Sequence, residues 1–180
     1  GESEIVLRDI SSGSLGESRY LIGNGSDMRE EVFGLNRNMA APAAFDDLGT
    51  TQLSSVSRTS DGLHLVWNIR NDDGSSRDVR FGASGDLALS NCRFIQGEGA
   101  TLSVLRKGSS DLALFYKLPD QRRFRTLRLS GFKDVYRASC GKVSSAATDA
   151  LILHGSREVR GVRSDVLAAI DPLTRRIIFS

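Results

Sequence analysis

Residues 66–82, VWNIRNDDGSSRDVRFG, decide the fold. They read as a β-hairpin: an apolar strand, a polar turn on Asp72-Asp73-Gly74, and a second strand. The chain then says the same thing again. Residues 20–34 run YLIGNGSDMREEVFG, residues 115–131 run FYKLPDQRRFRTLRLSG, and residues 168–180 run AAIDPLTRRIIFS. Arg29, Arg77 and Arg125 hold one place in three copies, 48 residues apart each time, and Arg175 follows at 50. A fixed period of this size marks stacked supersecondary units.

Each unit divides into four strands. The first unit places them at 4–10, 19–23, 28–34 and 38–45. Pro42 lacks a ladder N–H, so the fourth strand reads as an outer, edge strand. The second unit places them at 51–58, 63–69, 77–81 and 87–94, and the third at 100–107, 112–118, 124–129 and 135–141. Ser60, Leu63, Leu65 and Trp67 answer to Ser109, Leu112, Leu114 and Tyr116, each 49 later. The fourth unit offers strands at 150–154, 166–170 and 175–179, with a charged loop, SREVRGVRSD, between the first two. Residues 164–169 read as a short turn at most, and no fourth strand follows.

Four antiparallel strands repeated every 40 to 50 residues predict an all-β, β-propeller-like fold. It occupies 1–180 as one domain, with four repeats of about 48 residues near 3–50, 51–99, 100–147 and 148–180. The last repeat lacks its outer strand, so that blade has three strands, takes its fourth from another segment, or belongs to a longer chain. An open sheet edge is an aggregation hazard, so an oligomer, or a longer chain, is expected to cover it. A β-sandwich or irregular barrel is the rival. Alternation in the third strand of each unit puts Val79 with Phe81, Leu127 with Leu129, and Ile177 with Phe179 on one face. The repeated Arg shares that face, where it lays its stem over the core and pairs with a loop Asp, or else faces a ligand.

Composition narrows the function. Charged residues make up 26% of the chain, but the formal net charge is only +2, so no electrostatic footprint for nucleic acid is present. Only four of the 24 cationic residues are Lys; Arg suits bidentate pairing. No apolar run is long enough to span a membrane. The opening GESEIVL shows no signal peptide, while the sequon Asn24-Gly25-Ser26 points weakly to a secreted, extracellular protein. Two His and two Cys have no metal-ligand spacing, and neither a metal nor a cofactor is expected. The carboxylate pairs Asp46-Asp47 and Asp72-Asp73 read as solvated turns, with weak calcium binding as the alternative. Tyr20, Trp67 and Tyr116 recur at one position, as core packing or as a ligand shelf.

The paired second and third strands, an aromatic-rich strand followed by an Asp/Gly turn and an Arg-bearing strand, resemble the blade repeat of the fucose-binding, Aleuria-type propeller lectins of fungi and bacteria. That resemblance implies a sugar held between adjacent blades by an Arg of the second strand, a Glu of the third and aromatic rings. Carried onto this chain, it implies Arg19 with Glu30 in the first unit, and His64 with Asp78 beside Trp67 in the second. Ala113 and Thr126 stand in those places in the third, and Arg176 stands at the acid position of the fourth. The implied function is a non-enzymatic binding module for carbohydrate, with partner-protein binding as an alternative.

Cys92 and Cys140 lie 48 apart, in LSNC and RASC. On outer strands of neighbouring blades they are expected to be well separated, as two free thiols in small core positions; a sandwich would bring them together. LSNC before Gly97-Glu98-Gly99 also resembles the nucleophile turn of the cytotoxic-necrotising-factor-like glutamine deamidases. That implies a Cys92 thiolate activated by a His, for which this chain offers His64 or His154.

Overall fold

The computed structural model describes residues 5–9, 16–24, 27–35, 38–45, 51–109, 111–143 and 148–179. Among them the chain is all β, with fifteen strands in four antiparallel sheets and no helix. Sheet 1 holds β1 (Ile5–Asp9), β2 (Glu17–Asn24) and β3 (Asp27–Leu35). Sheet 2 holds β4 (Met39–Ala40), β5 (Ser54–Arg58), β6 (His64–Arg70) and β7 (Ser76–Ala83). Sheet 3 holds β8 (Leu87–Cys92), β9 (Thr101–Lys107), β10 (Leu112–Lys117) and β11 (Arg125–Leu129). Sheet 4 holds β12 (Phe132–Gly141), β13 (Ala150–Val159), β14 (Val162–Ile170) and β15 (Ile177–Phe179). Each sheet is a meander in which spatial order follows chain order. Among the described residues the strands form four sheets, not the two of a sandwich. The Asn24 side chain, Gly25, Ser26, Asp46 and Asp47 lie outside the described residues.

The hairpin β6–β7 forms where its sequence demands. Strand β6 buries Leu65, Trp67 and Ile69 and leaves the intervening residues half-exposed, the period of two that a one-sided strand requires. Its turn is closed by the Asn71 N–H donating to the Ser75 carbonyl at 2.8 Å, with Gly74 at φ 81°. The Asp73 carboxylate accepts from both the N–H and the hydroxyl of Ser75. Those bonds hold its carboxyl below the usual Asp range.

The sheets are out of phase with the sequence repeats. Strands β4, β8 and β12, the fourth strand of each of the first three repeats, do not close the sheet before them; they open the next one. The last repeat itself contributes only β13, β14 and β15 among the described residues. Sheet 4 has four, the first supplied by the preceding repeat, and the three-stranded sheet among the described residues is sheet 1. One correction concerns SREVRGVRSD. Instead of a loop it carries the ends of β13 and β14, paired as far as Val159↔Val162 around Arg160 (φ 52°) and Gly161 (φ 79°). Two successive positive φ values make the tight turn whose twist matches the strands. Residues 164–169 accordingly lie in β14. Ile177 is 38% exposed, so the inward face expected of it is not formed, and the Phe179 side chain lies outside the described residues.

One step relates successive sheets. Gly34 at the end of β3 meets the Ser55 side chain of the next sheet, and Gly82, 48 residues on, meets the Val104 side chain of β9. At both points φ is positive and an added Cβ would lie about 3 Å from that neighbour, which explains the glycine. The Ala100 N–H donates to the Ala44 carbonyl, and 49 residues on the Asp149 N–H donates to the Arg93 carbonyl. Three core layers fill the three junctions. Tyr20, Ile22, Phe33 and Leu53 lie between sheets 1 and 2. A cluster around Trp67, Phe81, Leu102 and Val104 lies between sheets 2 and 3. A larger one around Phe94, Leu114, Leu151 and Leu153 lies between sheets 3 and 4.

The third junction is also covalent. Cys92 on β8 and Cys140 on β12 form a disulfide with Cα atoms 5.2 Å apart. This overturns the expectation of two separated free thiols. The physical reason is the phase: the strands carrying them run side by side as the first strands of neighbouring sheets, so equivalent positions converge there.

Candidate functional site

Open clefts lie at the rims of these junctions. The larger, about 810 Å³, separates sheets 1 and 2. Strand β3 lines it with Arg29, Glu30 and Glu31, and the other wall offers Gln52, Arg70 and Asn71. Three consecutive polar residues reach one cleft because β3 is solvated on both faces over that stretch and pairs only with β2. Glu30 accepts from Arg19 Nη1 at 2.8 Å, so the structure brings together the two residues implied for the first unit. Both are about half-exposed, 58% and 51%. Glu31 spans the junction, accepting from Arg29 Nε at 2.9 Å and from Arg70 Nη1 at 3.1 Å. Gln52 is 8% exposed, and its amide oxygen is buried without a hydrogen-bond partner. A buried acceptor left open costs about 1–3 kcal/mol.

A second cleft, about 430 Å³, lies between sheets 2 and 3 and includes His64. Asp78 is elsewhere: it accepts from Asn68 Nδ2 at 2.6 Å on the exposed face of the β6–β7 hairpin and does not line the cleft. His64 and Asp78 are not brought together, because Asp78 sits opposite Asn68, four residues along β6 from His64. Trp67 is corrected too. It is fully buried, its indole N–H donates to the Phe81 carbonyl at 2.9 Å, and it presents no face to a ligand. The repeated Arg takes the bland role at one position: Arg77 pairs with Asp120 of the β10–β11 turn, across the second junction.

The deamidase arrangement is not present. Cys92 is fully buried and its sulfur is bonded to Cys140, so it offers no thiolate. His154 packs edge-on against Tyr136, ring centroids 5.4 Å apart, on sheet 4. Among the described residues no three His, Cys, Asp or Glu side chains gather as a metal group.

Sequence reasoning missed Gln52 and Arg70 in the first cleft, and Lys117, Arg122 and Phe124 in the second. Each comes from the sheet opposite the expected residue, and a period within one chain segment carries no signal for what faces it. Comparison with protein-family models, with curated proteins and with solved structures returned no match. What the clefts can do rests on their geometry.

Proposed function

We propose that this protein is a non-enzymatic, lectin-like binding module for carbohydrate, with its four sheets set as blades of a propeller-like fold and its sugar held between blades. The observation that carries this reading is the exposed Arg19–Glu30 pair on sheet 1, of which Glu30 also lines the first inter-sheet cleft. Arg19 and Glu30 are bonded to each other at 2.8 Å, which leaves the other guanidinium N–H groups to donate to, and the other carboxylate lone pairs to accept from, neighbouring sugar hydroxyls. Gln52 and Asn71 add the amide chemistry that sugar hydroxyls take up, and the cleft is wide enough for a small saccharide. The Cys92–Cys140 disulfide supports a secreted or extracellular setting, where such bonds persist.

Partner-protein binding is the second reading. It is favoured by the apolar side chains that sheet 4 leaves in water, with Val162 70% and Leu167 54% exposed. The same surface supports oligomerisation, which light scattering would register as a mass above that of one 19.5 kDa chain.

A glycan array run with the wild-type chain and with Arg19→Ala and Glu30→Ala decides between these readings. Binding is expected, and each change is expected to weaken it about tenfold or more, the worth of a charged hydrogen bond. Binding that survives both changes removes the site, and no binding to any glycan leaves partner binding ahead.

A further inference from the structure

The cleft between sheets 2 and 3 has a composition unlike the first. Its lining includes His64, Arg80, Arg106, Lys117 and Arg122, and no acidic residue. Two of these cations are answered from outside it. Arg106 makes a two-pronged bond to Asp86 at 2.8 and 2.9 Å, and Arg80 lies 3.8 Å from Asp61. The other two are not. Arg122 is exposed and has no ion-pair partner among the described residues. Lys117 is 8% exposed, and its ammonium donates to neutral acceptors, the Gln121 carbonyl at 2.8 Å and the Pro119 carbonyl at 3.5 Å. Burial draws that ammonium below the usual Lys value, opposed in part by Asp120, which is itself committed to Arg77.

Between these charges lies an aromatic floor. Phe124 packs edge-on against Phe115 at 5.8 Å and tilted against Phe81 at 6.3 Å, and it remains 55% exposed. Arg106 covers the Phe115 ring at 4.7 Å, so that ring is already capped, while Phe124 offers open surface. Positive charge beside a free ring selects a ligand with an anion on one side and a flat apolar face on the other. A bare inorganic anion would leave the ring unused, and a neutral sugar would leave the charge unanswered.

We infer that this second cleft binds an acidic pyranose, a sugar ring bearing a carboxylate or a sulfate, with Lys117 and Arg122 on the anion and Phe124 under the ring. The inference shares the carbohydrate chemistry of the first cleft but none of its residues, so either can fail alone.

The test is calorimetric titration of the full chain with glucuronate, with N-acetylglucosamine 6-sulfate, with neutral N-acetylglucosamine and with inorganic sulfate. At least one acidic sugar is expected to bind about tenfold or more tighter than the neutral sugar and the sulfate ion, the equivalent of one charged contact. Which acidic sugar binds identifies the anion. Arg122→Ala, at an exposed position, is expected to abolish that preference with the melting temperature unchanged, and Phe124→Ala is expected to abolish it while lowering the melting temperature by several degrees for its two lost ring contacts. Arg19→Ala is expected to leave it intact. The inference is overturned if no acidic sugar binds, if the neutral sugar or inorganic sulfate binds as well as the acidic one, or if both variants bind as the parent does.

Discussion

The junction of sheets 1 and 2 and the junction of sheets 3 and 4 repeat one architectural step in opposite materials. The first buries four apolar side chains, Tyr20, Ile22, Phe33 and Leu53, and is otherwise bridged by the partly exposed pair Glu31–Arg70. The last buries a continuous cluster that includes Phe94, Leu114, Leu151, Leu153 and Ile170, and it is stapled by Cys92–Cys140. Asp134 adds a polar tie there, accepting from Lys107 of sheet 3 and from Arg163 of its own sheet. A polar, thinly packed junction can stay open to a ligand, and a dense one holds the array together. The difference teaches that one repeated step can be built open and polar at one end of the array and dense and cross-linked at the other.

The sharpest way to break the comparison is to remove the staple. The disulfide closes a loop with a sequence separation of 48, and chain-entropy reasoning puts its worth at about 4 kcal/mol. Urea unfolding of Cys92→Ser/Cys140→Ser is expected to show a loss of that order. Glycan binding at the first cleft should persist at low urea; binding lost along with the stability would mean that the two junctions are not separable. Next in size are matched truncations. Leu153→Ala, fully buried in the large cluster, is expected to cost about 3–4 kcal/mol. Leu53→Ala, in the small one, is expected to cost about 2 kcal/mol, because a thin cluster beside an open cleft collapses more readily. Equal losses in chemical denaturation would contradict the division.

Smaller still is the bridge across the first junction. With both partners partly exposed, Arg70→Ala is expected to change stability by only about 0.5 kcal/mol while altering glycan affinity. A large stability loss without a binding change would make Arg70 purely structural. The smallest effect concerns pH. Hydrogen bonding to Lys107, with its charge and that of Arg163, holds the Asp134 carboxyl below the usual Asp range. A depressed carboxyl contributes stability above the unfolded-state value, near 3.9 for Asp, and loses it as pH falls through the folded value. Stability should therefore decline as pH drops below about 4, with a shallower slope in Asp134→Asn. Slopes that match would mean the tie contributes nothing.

Much of the fold was legible because the hairpins are local. The Asn71–Ser75 turn and the alternation of β6 each belong to a single segment, and the strands fall close to where pattern places them. The phase of the sheets was not legible. A short connection normally joins paired strands, but here Ser84-Gly85-Asp86 carries the chain from sheet 2 to sheet 3. Asp86 closes that turn by accepting the Ala83 N–H at 2.7 Å. The longer connection at 93–100 joins the paired strands β8 and β9. With the phase misread, the cysteines were placed on a rim instead of side by side. In the site, Arg19 and Glu30 were readable as near neighbours on one hairpin. Gln52, Lys117 and Arg122 were not, since each matters through the sheet it faces.

The one-period spacing of Cys92 and Cys140 also constrains how this chain can change length. Deleting residues 51–99 would still leave whole sheets, because β4 would lead into β9 just as it now leads into β5. That deletion removes Cys92 and strands Cys140 as an odd thiol, and deleting residues 100–147 does the reverse. Loss of a single repeat here, otherwise silent in strand pairing, therefore shows itself as broken cysteine parity. A change of length in this region keeps the staple only when it keeps both cysteines.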